Sequence, residues 1–201
     1  MKKTKWLVVM GIALLFAGCI PSVNPLYTEK DLVFNPGLLG VWGEVDAAKT
    51  NTWTFRQRDE KSYALTIQEE GKSAQFVAHL VKLGKYQFLD LFPDGDGLSD
   101  LNQPDIYKWT LIPGHLFLKV WQIEPTLQMN FMNPDWLDKL LKKDPKAIAH
   151  RGSDDKEGIV LTASTRQLQK FFVKYAESKE AFKEPDEALK RIGPPPKADA
   201  R

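Results

Sequence analysis

The feature that most constrains the fold is a two-residue alternation of apolar and polar side chains running from residue 38 to about 132. A period of two is typical of β-strands with one buried face. Turn signals such as Glu70-Gly71, Gly84-Lys85 and Pro113-Gly114 divide the region into strands at spacings of about 8 to 12 residues. The predicted strands cover residues 38–42, 52–56, 63–68, 76–80, 86–92, 107–112, 116–121 and 127–131. About eight such strands predict a mainly β (α+β) fold, an antiparallel meander that forms either a barrel or a strongly curled sheet.

Helices are predicted only late in the chain. Asn133 can cap a helix with Pro134 in its first turn, and this helix should end before Pro145. Ser164 and Gln167 have the spacing of a capping box before a second amphipathic helix. A further strand is predicted over residues 159–163 and a short third helix over 185–192, and the proline-rich tail at 193–201 is expected to be disordered.

The N-terminus has the order of a secretory signal: three lysines at positions 2, 3 and 5, an apolar stretch over 6–16, then Ala17-Gly18 and Cys19. A lone cysteine directly after Ala-Gly resembles the lipobox of bacterial lipoproteins. The resemblance implies cleavage between Gly18 and Cys19, a diacylglyceryl group on the Cys19 sulfur, and a fatty acid such as palmitate on the new amine. Several acyl chains on one residue would make a durable membrane anchor.

A cleaved lipoprotein signal has two alternatives. An uncleaved transmembrane helix is disfavoured because residues 6 to 20 are only fifteen, short of the roughly 20 needed to cross a bilayer core. The other is an ordinary secretory signal followed by a chance cysteine. Ile20 stands where, in the lipoprotein family, aspartate would retain the protein in the inner membrane. The resemblance therefore implies the cell envelope, and the periplasmic face of the outer membrane in a host with two membranes.

These signals divide the chain into a signal peptide at 1–18, a lipidated tether at 19–37, a β-rich domain with late helices at 38–192 and a tail at 193–201. The later half of the tether is expected to pack on the domain. Removal of the signal leaves 183 residues, enough for one domain with a sizeable core. It also leaves 25 basic against 26 acidic residues, a net charge of −1. The mature chain therefore lacks the excess of positive charge that is typical of nucleic-acid-binding domains.

Gly40-Val41-Trp42 resembles the Gly-x-Trp motif of lipocalins, small up-and-down barrels that enclose apolar ligands. The resemblance implies structural roles for Gly40 and Trp42, with the tryptophan packed across the barrel base against an arginine from a late strand. Arg151 and Arg166 are the late candidates. A different β-rich arrangement with terminal helices remains open. The run 25–34, followed by Leu-x-Gly-x-Trp at 38–42, also resembles uncharacterised bacterial lipoproteins, which implies no function.

No motif predicts catalysis, a metal or a cofactor. Asp94, Asp96 and Asp100 crowd one loop, but the fifth and sixth positions counted from Asp94 are Leu98 and Ser99, which does not fit a calcium-binding loop. The three histidines, at positions 79, 115 and 150, share no metal-ligand spacing. Six aromatic residues on the strand faces could line a ligand cavity or fill the barrel; they are Trp53, Phe55, Phe76, Phe117, Trp121 and Phe131.

Three functions follow as hypotheses. The first is a non-enzymatic binding or accessory lipoprotein anchored to the membrane through Cys19, with an apolar ligand or a protein as its partner. The second is a scaffolding lipoprotein that presents its C-terminal helix faces to a partner protein. The third is an enzyme with dispersed residues, favoured if a cleft brings His79 or His115 to a carboxylate.

Overall fold

The computed structural model describes residues 19–44, 51–95, 111–152, 158–186 and 188–194. Eleven strands occur in these ranges: β1 Leu32–Val33, β2 Gly40–Gly43, β3 Thr52–Gln57, β4 Tyr63–Glu69, β5 Lys72–Leu83, β6 Tyr86–Pro93, β7 Leu116–Gln122, β8 Thr126–Phe131, β9 His150–Arg151, β10 Val160–Leu161 and β11 Leu189–Gly193. Two α-helices accompany them, α1 Pro134–Lys143 and α2 Thr165–Tyr175, together with 3₁₀ turns at Glu29–Asp31 and Pro36–Leu38.

Eight of the strands form a closed antiparallel barrel, which confirms the predicted mainly β fold with late helices. Strands β2 to β8 pair with their neighbours in sequence order. Strand β11 then pairs with both β8 and β2 and so closes the ring. Strand β1 lies outside the ring and pairs with residues 80–81 of the long strand β5, beyond the part of β5 that pairs with β4. Strands β9 and β10 form a separate two-stranded sheet.

Local sequence accounts for the turns and for both helices. The β4–β5 hairpin turns on Glu70 and Gly71, both at positive φ, as a two-residue hairpin loop requires. Helix α1 begins at the predicted cap, where Asn133 Oδ1 accepts hydrogen bonds from the backbone N–H groups of Asp135 and Trp136. At α2, Gln167 Oε1 accepts a hydrogen bond from Ser164 N–H at 3.0 Å. These two helices are confirmed.

The helix predicted over 185–192 is wrong, because Leu189–Gly193 is the strand that closes the barrel between β8 and β2. The strand predicted over 159–163 is present only as Val160–Leu161, outside the barrel. Most of the strand predicted over 107–112 lies outside the described residues.

Alternation along the barrel strands creates two apolar layers. The inward side chains form one cluster, which includes the fully buried Trp42, Phe55 and Tyr63. The outward side chains of β5, β6 and β7 form a second cluster with the helices, among them Phe88 of β6 and Phe172 of α2 in edge-to-face contact. The molecule is therefore a barrel with an inner apolar cluster and a helical layer on one side, and the chain before β1 belongs to that outer layer.

Candidate functional site

The first residues of the described chain alternate between buried and exposed. Ile20 is 9% exposed and Ser22 fully buried, whereas Cys19 and Pro21 are half-buried and Val23 is 45% exposed. Because successive side chains of an extended chain point to opposite sides, Cys19, Pro21 and Val23 share the outward side. Partial burial raises the pKa of the Cys19 thiol. The predicted lipid-attachment residue is thus half-buried, at the start of a segment that is itself fixed to the fold.

Backbone hydrogen bonds hold this segment on both sides. Ser22 exchanges two with His115, at 2.9 and 2.8 Å, which attaches it to the residue before β7. On its other side, Val23 N–H donates to Leu161 O at 2.9 Å and Leu161 N–H donates to Pro21 O at 2.8 Å. The chain at residues 21–23 therefore bridges the barrel and the small outer sheet.

A buried carboxylate fixes the next part of the segment. Asp90 lies on the outward side of β6 and is fully buried. Its Oδ2 accepts a hydrogen bond from Leu26 N–H at 2.8 Å, and its Oδ1 lies 2.7 Å from His115 Nδ1. Both oxygens thus have partners, as a buried carboxylate requires. Asp90 joins β6, the start of β7 and the N-terminal segment.

His79 lies beside this joint, since its strand position pairs directly with that of Asp90. The ring of Tyr27 contacts the His79 ring in a tilted arrangement, with centroids 4.4 Å apart and 35° between the ring planes. Burial lowers the pKa of His79, although the nearby carboxylates of Asp90, Asp59 and Glu29 act in the opposite direction. Burial likewise raises the pKa of Tyr27, assisted by the Asp90 charge. The surroundings of His79 therefore favour the neutral imidazole.

Helix α2 holds the segment from its other side. Gln169 Nε2 donates to Leu26 O at 3.0 Å and to Asp31 Oδ2 at 2.9 Å. Asn24 Nδ2 donates to Ala163 O at 3.0 Å, just before the helix. The sequence predicted packing for the later half of residues 20–37, and the structure shows packing from Ile20 onward.

The Asp90–His115 pair has the spacing of a carboxylate that orients a catalytic base. His115 is, however, only 9% exposed, and the ring of Phe92 lies 4.6 Å from its ring, centroid to centroid. The neighbouring hydroxyl of Ser22 donates to Asn24 O at 2.8 Å. The pair is a buried attachment point for the N-terminal segment rather than the wall of a cleft.

Large side chains occupy part of the barrel interior, while other inner side chains such as Trp53, Phe76 and Met129 are only half-buried. The tryptophan of β2, the phenylalanine of β3 and Tyr63 of β4 are all fully buried, so no water-sized space borders them. Four of the six aromatic residues predicted to line or fill the interior belong to the inner cluster. Phe55 is fully buried there, and Trp53, Phe76 and Phe131 are partly buried. Phe117 and Trp121 face the outer cluster instead.

An arginine does pack on Trp42, but it is neither of the predicted candidates. The guanidinium of Arg191 lies 4.8 Å from the centroid of the Trp42 ring, and its Nη2 donates to Gly37 O and Glu124 Oε1 at 2.6 and 2.8 Å. Neither Arg151 nor Arg166 is the partner, because the late strand that pairs with β2 is β11, in which Arg191 lies opposite Trp42. Gly40 has φ +132°, and a Cβ there would come within 3.1 Å of Gly193 O, so glycine allows β2 and β11 to meet.

The remaining predicted sites are dispersed. Gly18 and the loop residues Asp96 and Asp100 lie outside the described residues, while Asp94 forms an ion pair with Arg58. His150 lies in β9, where its Nδ1 is 2.9 Å from Ile148 O. Within the described ranges, no group of three or more His, Cys, Asp or Glu side chains is placed to hold a metal ion.

The outer surface carries a groove of about 550 Å³ between the Glu29–Asp31 turn and α2. Three cationic side chains line it, Lys30, Arg166 and Lys170, together with Thr28 and Gln169. No helix among the described residues has both the length and the apolar character needed to span a membrane.

The fold is thus a closed eight-stranded antiparallel barrel, consistent with a lipocalin-like barrel that carries helices. Comparison with known proteins found no matching family model, no matching curated protein and no matching solved structure.

Proposed function

We propose that this protein is a lipoprotein of the bacterial cell envelope, anchored by acyl chains on Cys19. In a host with two membranes it lies on the periplasmic face of the outer membrane. The observation that carries the proposal is the basic, apolar and small-residue order that ends at Cys19. Cleavage before Cys19 makes the modified cysteine the first residue of the mature chain.

The geometry around Cys19 is compatible with this modification. Cys19 is on the outward side of the segment, while Ile20 and Ser22 on the inward side hold the chain to the barrel. The acyl chains can therefore leave the surface without displacing a buried side chain. The lipid supplies the membrane affinity, and the barrel is the module displayed at the membrane.

We further propose a non-enzymatic accessory role exerted by the outer surface of the barrel. Fully buried side chains occupy the interior around Trp42, Phe55 and Tyr63, which does not favour an apolar ligand held at that end of the barrel. The helix faces are buried too: Leu137 and Leu141 of α1 and Leu168, Phe171 and Phe172 of α2 pack in the outer cluster. A scaffold that offers those helix faces to a partner protein is therefore disfavoured. A partner would instead bind the exposed outer surface of the domain.

Replacing the anchoring sulfur tests the proposal. We expect Cys19→Ser to abolish incorporation of a labelled fatty acid and to move the protein out of the membrane fraction, as a soluble or unprocessed chain. Val173→Ser serves as the matched control, because it adds a hydroxyl at an exposed site on α2 and leaves the signal intact. Equal membrane recovery and equal labelling of wild type and Cys19→Ser would contradict the proposal.

A further inference from the structure

We propose that the folded domain rests directly on the bilayer through an apolar surface around Cys19, formed by Pro21, Val23, Ile112 and Pro113. This inference rests on the proposed acylation of Cys19 and adds the orientation of the domain to it. We call these four residues the docking surface. Its occupant is the lipid surface of the membrane that holds the anchor.

The first argument is the length of chain between lipid and fold. Ser22 is already paired on both sides, three residues after Cys19. Three extended residues span at most about 10 Å, which is too short for a flexible spacer. Acyl chains on Cys19 fix its sulfur at the level of the lipid headgroups. The surface of the domain next to Cys19 must therefore lie at or within the headgroup layer.

The second argument is the character of that surface. Four large apolar side chains are conspicuously exposed in the described ranges: Val23 at 45%, Ile112 at 76%, Val173 at 39% and Ile192 at 42%. Val23 shares the outward side of the segment with Cys19 and Pro21. Thus two of the four, including the most exposed one, belong to the two chain segments that meet beside the anchor.

Contacts between those segments place Ile112 near the anchor. A Cβ at Gly114 would lie 3.1 Å from the Pro21 Cβ, so Pro21 packs on the backbone two residues after Ile112. Each two-residue step spans at most about 7 Å, so Ile112 lies within about 20 Å of Cys19. That separation fits within the footprint of one small domain on a membrane.

The third argument is charge. Aspartate, glutamate, lysine and arginine make up 27% of the chain, yet none of these four occurs from Cys19 to Thr28 or from Trp109 to Leu118. A charged side chain pressed into the lipid boundary would lose its hydration at high cost, whereas valine, isoleucine and proline gain by leaving water. The two uncharged stretches are the ones that supply the docking surface.

Single cysteines test the contact in the full-length protein, expressed in bacteria and reconstituted in vesicles of phosphatidylethanolamine and phosphatidylglycerol. Val23→Cys and Ile112→Cys probe the docking surface, and Val173→Cys and Ile192→Cys are controls elsewhere whose exposure is close to that of Val23 and lower than that of Ile112. Each new thiol carries an environment-sensitive fluorophore, and a water-soluble ion quenches it. On vesicles, we expect quenching at positions 23 and 112 to be several-fold weaker than at 173 and 192. The control is the Cys19→Ser form of each variant, measured without lipid or detergent. In that control, quenching at positions 23 and 112 should be no weaker than at 173 and 192.

Equal quenching at all four positions on vesicles would overturn the inference while leaving the lipid anchor intact. Protection at 23 and 112 in cell envelopes but not on pure lipid vesicles would also overturn it, in favour of a protein occupant. The anchor has its own readout, because the Cys19 thiol of the denatured wild type must be unreactive once acylated. A reactive thiol, together with failure to float with the vesicles, would reject the proposed function and the docking surface together.

Discussion

At the scale of single residues, Asp90 connects three parts of the chain that are far apart in sequence. It accepts hydrogen bonds from Leu26 in the N-terminal segment and from the ring of His115, and it lies on β6 beside His79 of β5. The phenylalanines at 88 and 92, on the same strand face as Asp90, indicate an apolar environment, but the local sequence does not identify the partners of its carboxylate. Only the segment that covers it makes it a buried joint.

His79 should make the stability of the protein depend on pH. Burial lowers its pKa below the usual 6.5, so the unfolded chain binds a proton that the folded chain resists. The free energy of unfolding is then highest above that value and falls as the pH drops through it towards the lower folded pKa. We expect the urea midpoint to decrease between pH 7.5 and pH 5.5, as measured by tryptophan fluorescence.

Two variants separate the effect of His79 protonation from that of its ring contact with Tyr27. His79→Gln removes both the titrating group and the ring, whereas His79→Phe keeps a ring over Tyr27 and cannot take up a proton. Both should lose less stability than the wild type over the same pH interval. An acid-induced loss of stability of the same size in all three proteins would show that groups other than His79 cause it. The charged or titratable neighbours of His79 are Asp90, Asp59, Glu29 and His115.

At the scale of elements, the two α-helices were predictable because their signals are local. Asn133 and the Ser164–Gln167 pair lie within one turn of the residues they cap. Strand β11 gave the opposite signal: Leu189 and Ile192 are three residues apart, as on a helix, and Pro185 precedes an acidic turn typical of a helix start. Its strand conformation comes from pairing with β8 and β2, more than 60 and 145 residues away in sequence.

Arg191 should contribute more stability than the two arginines expected in its place. It stacks on Trp42 and donates hydrogen bonds to Gly37 and Glu124, so it ties β11 to the residues at one end of β2. We expect Arg191→Ala to lower the free energy of unfolding by about 1 to 2 kcal/mol, the sum of a partly exposed cation–π contact and a charge-assisted hydrogen bond.

Arg151→Ala is the matched control, since Arg151 is an exposed residue on a two-residue strand outside the barrel. We expect it to change the free energy of unfolding by less than about 0.5 kcal/mol. Chemical denaturation of the three proteins side by side measures both values. A larger effect at Arg151 than at Arg191 would contradict the role assigned to the Trp42 contact.

At the scale of the whole molecule, alternation predicted the strands but could not decide between a closed and an open sheet. Closure depends on β11, which pairs with both β8 and β2, and strand periodicity does not encode those pairings. Alternation also could not tell a filled interior from a ligand cavity, because both need apolar side chains on the inward side. The full burial of Trp42, Phe55 and Tyr63 shows close packing in their part of the interior.

The outer layer was the least predictable part of the molecule. It joins the segment before β1 to helix α2 through contacts such as Gln169 with Leu26, which are 143 residues apart. Proline-rich sequence at residues 20–37 favours an extended backbone, and an extended backbone is compatible both with a free tether and with a chain laid on a barrel. The buried side chains of Ile20, Ser22 and Leu26 place this chain on the barrel.

The central claim is that this barrel is held at a membrane by lipid on one sulfur atom. Mass spectrometry of the N-terminal peptide from protein purified out of bacterial membranes tests it most directly. The account predicts a chain that begins at Cys19 and carries a diacylglyceryl group, with or without a further fatty acid on the amine. A mature chain that retains Met1, or one that begins elsewhere with an unmodified Cys19, would contradict it.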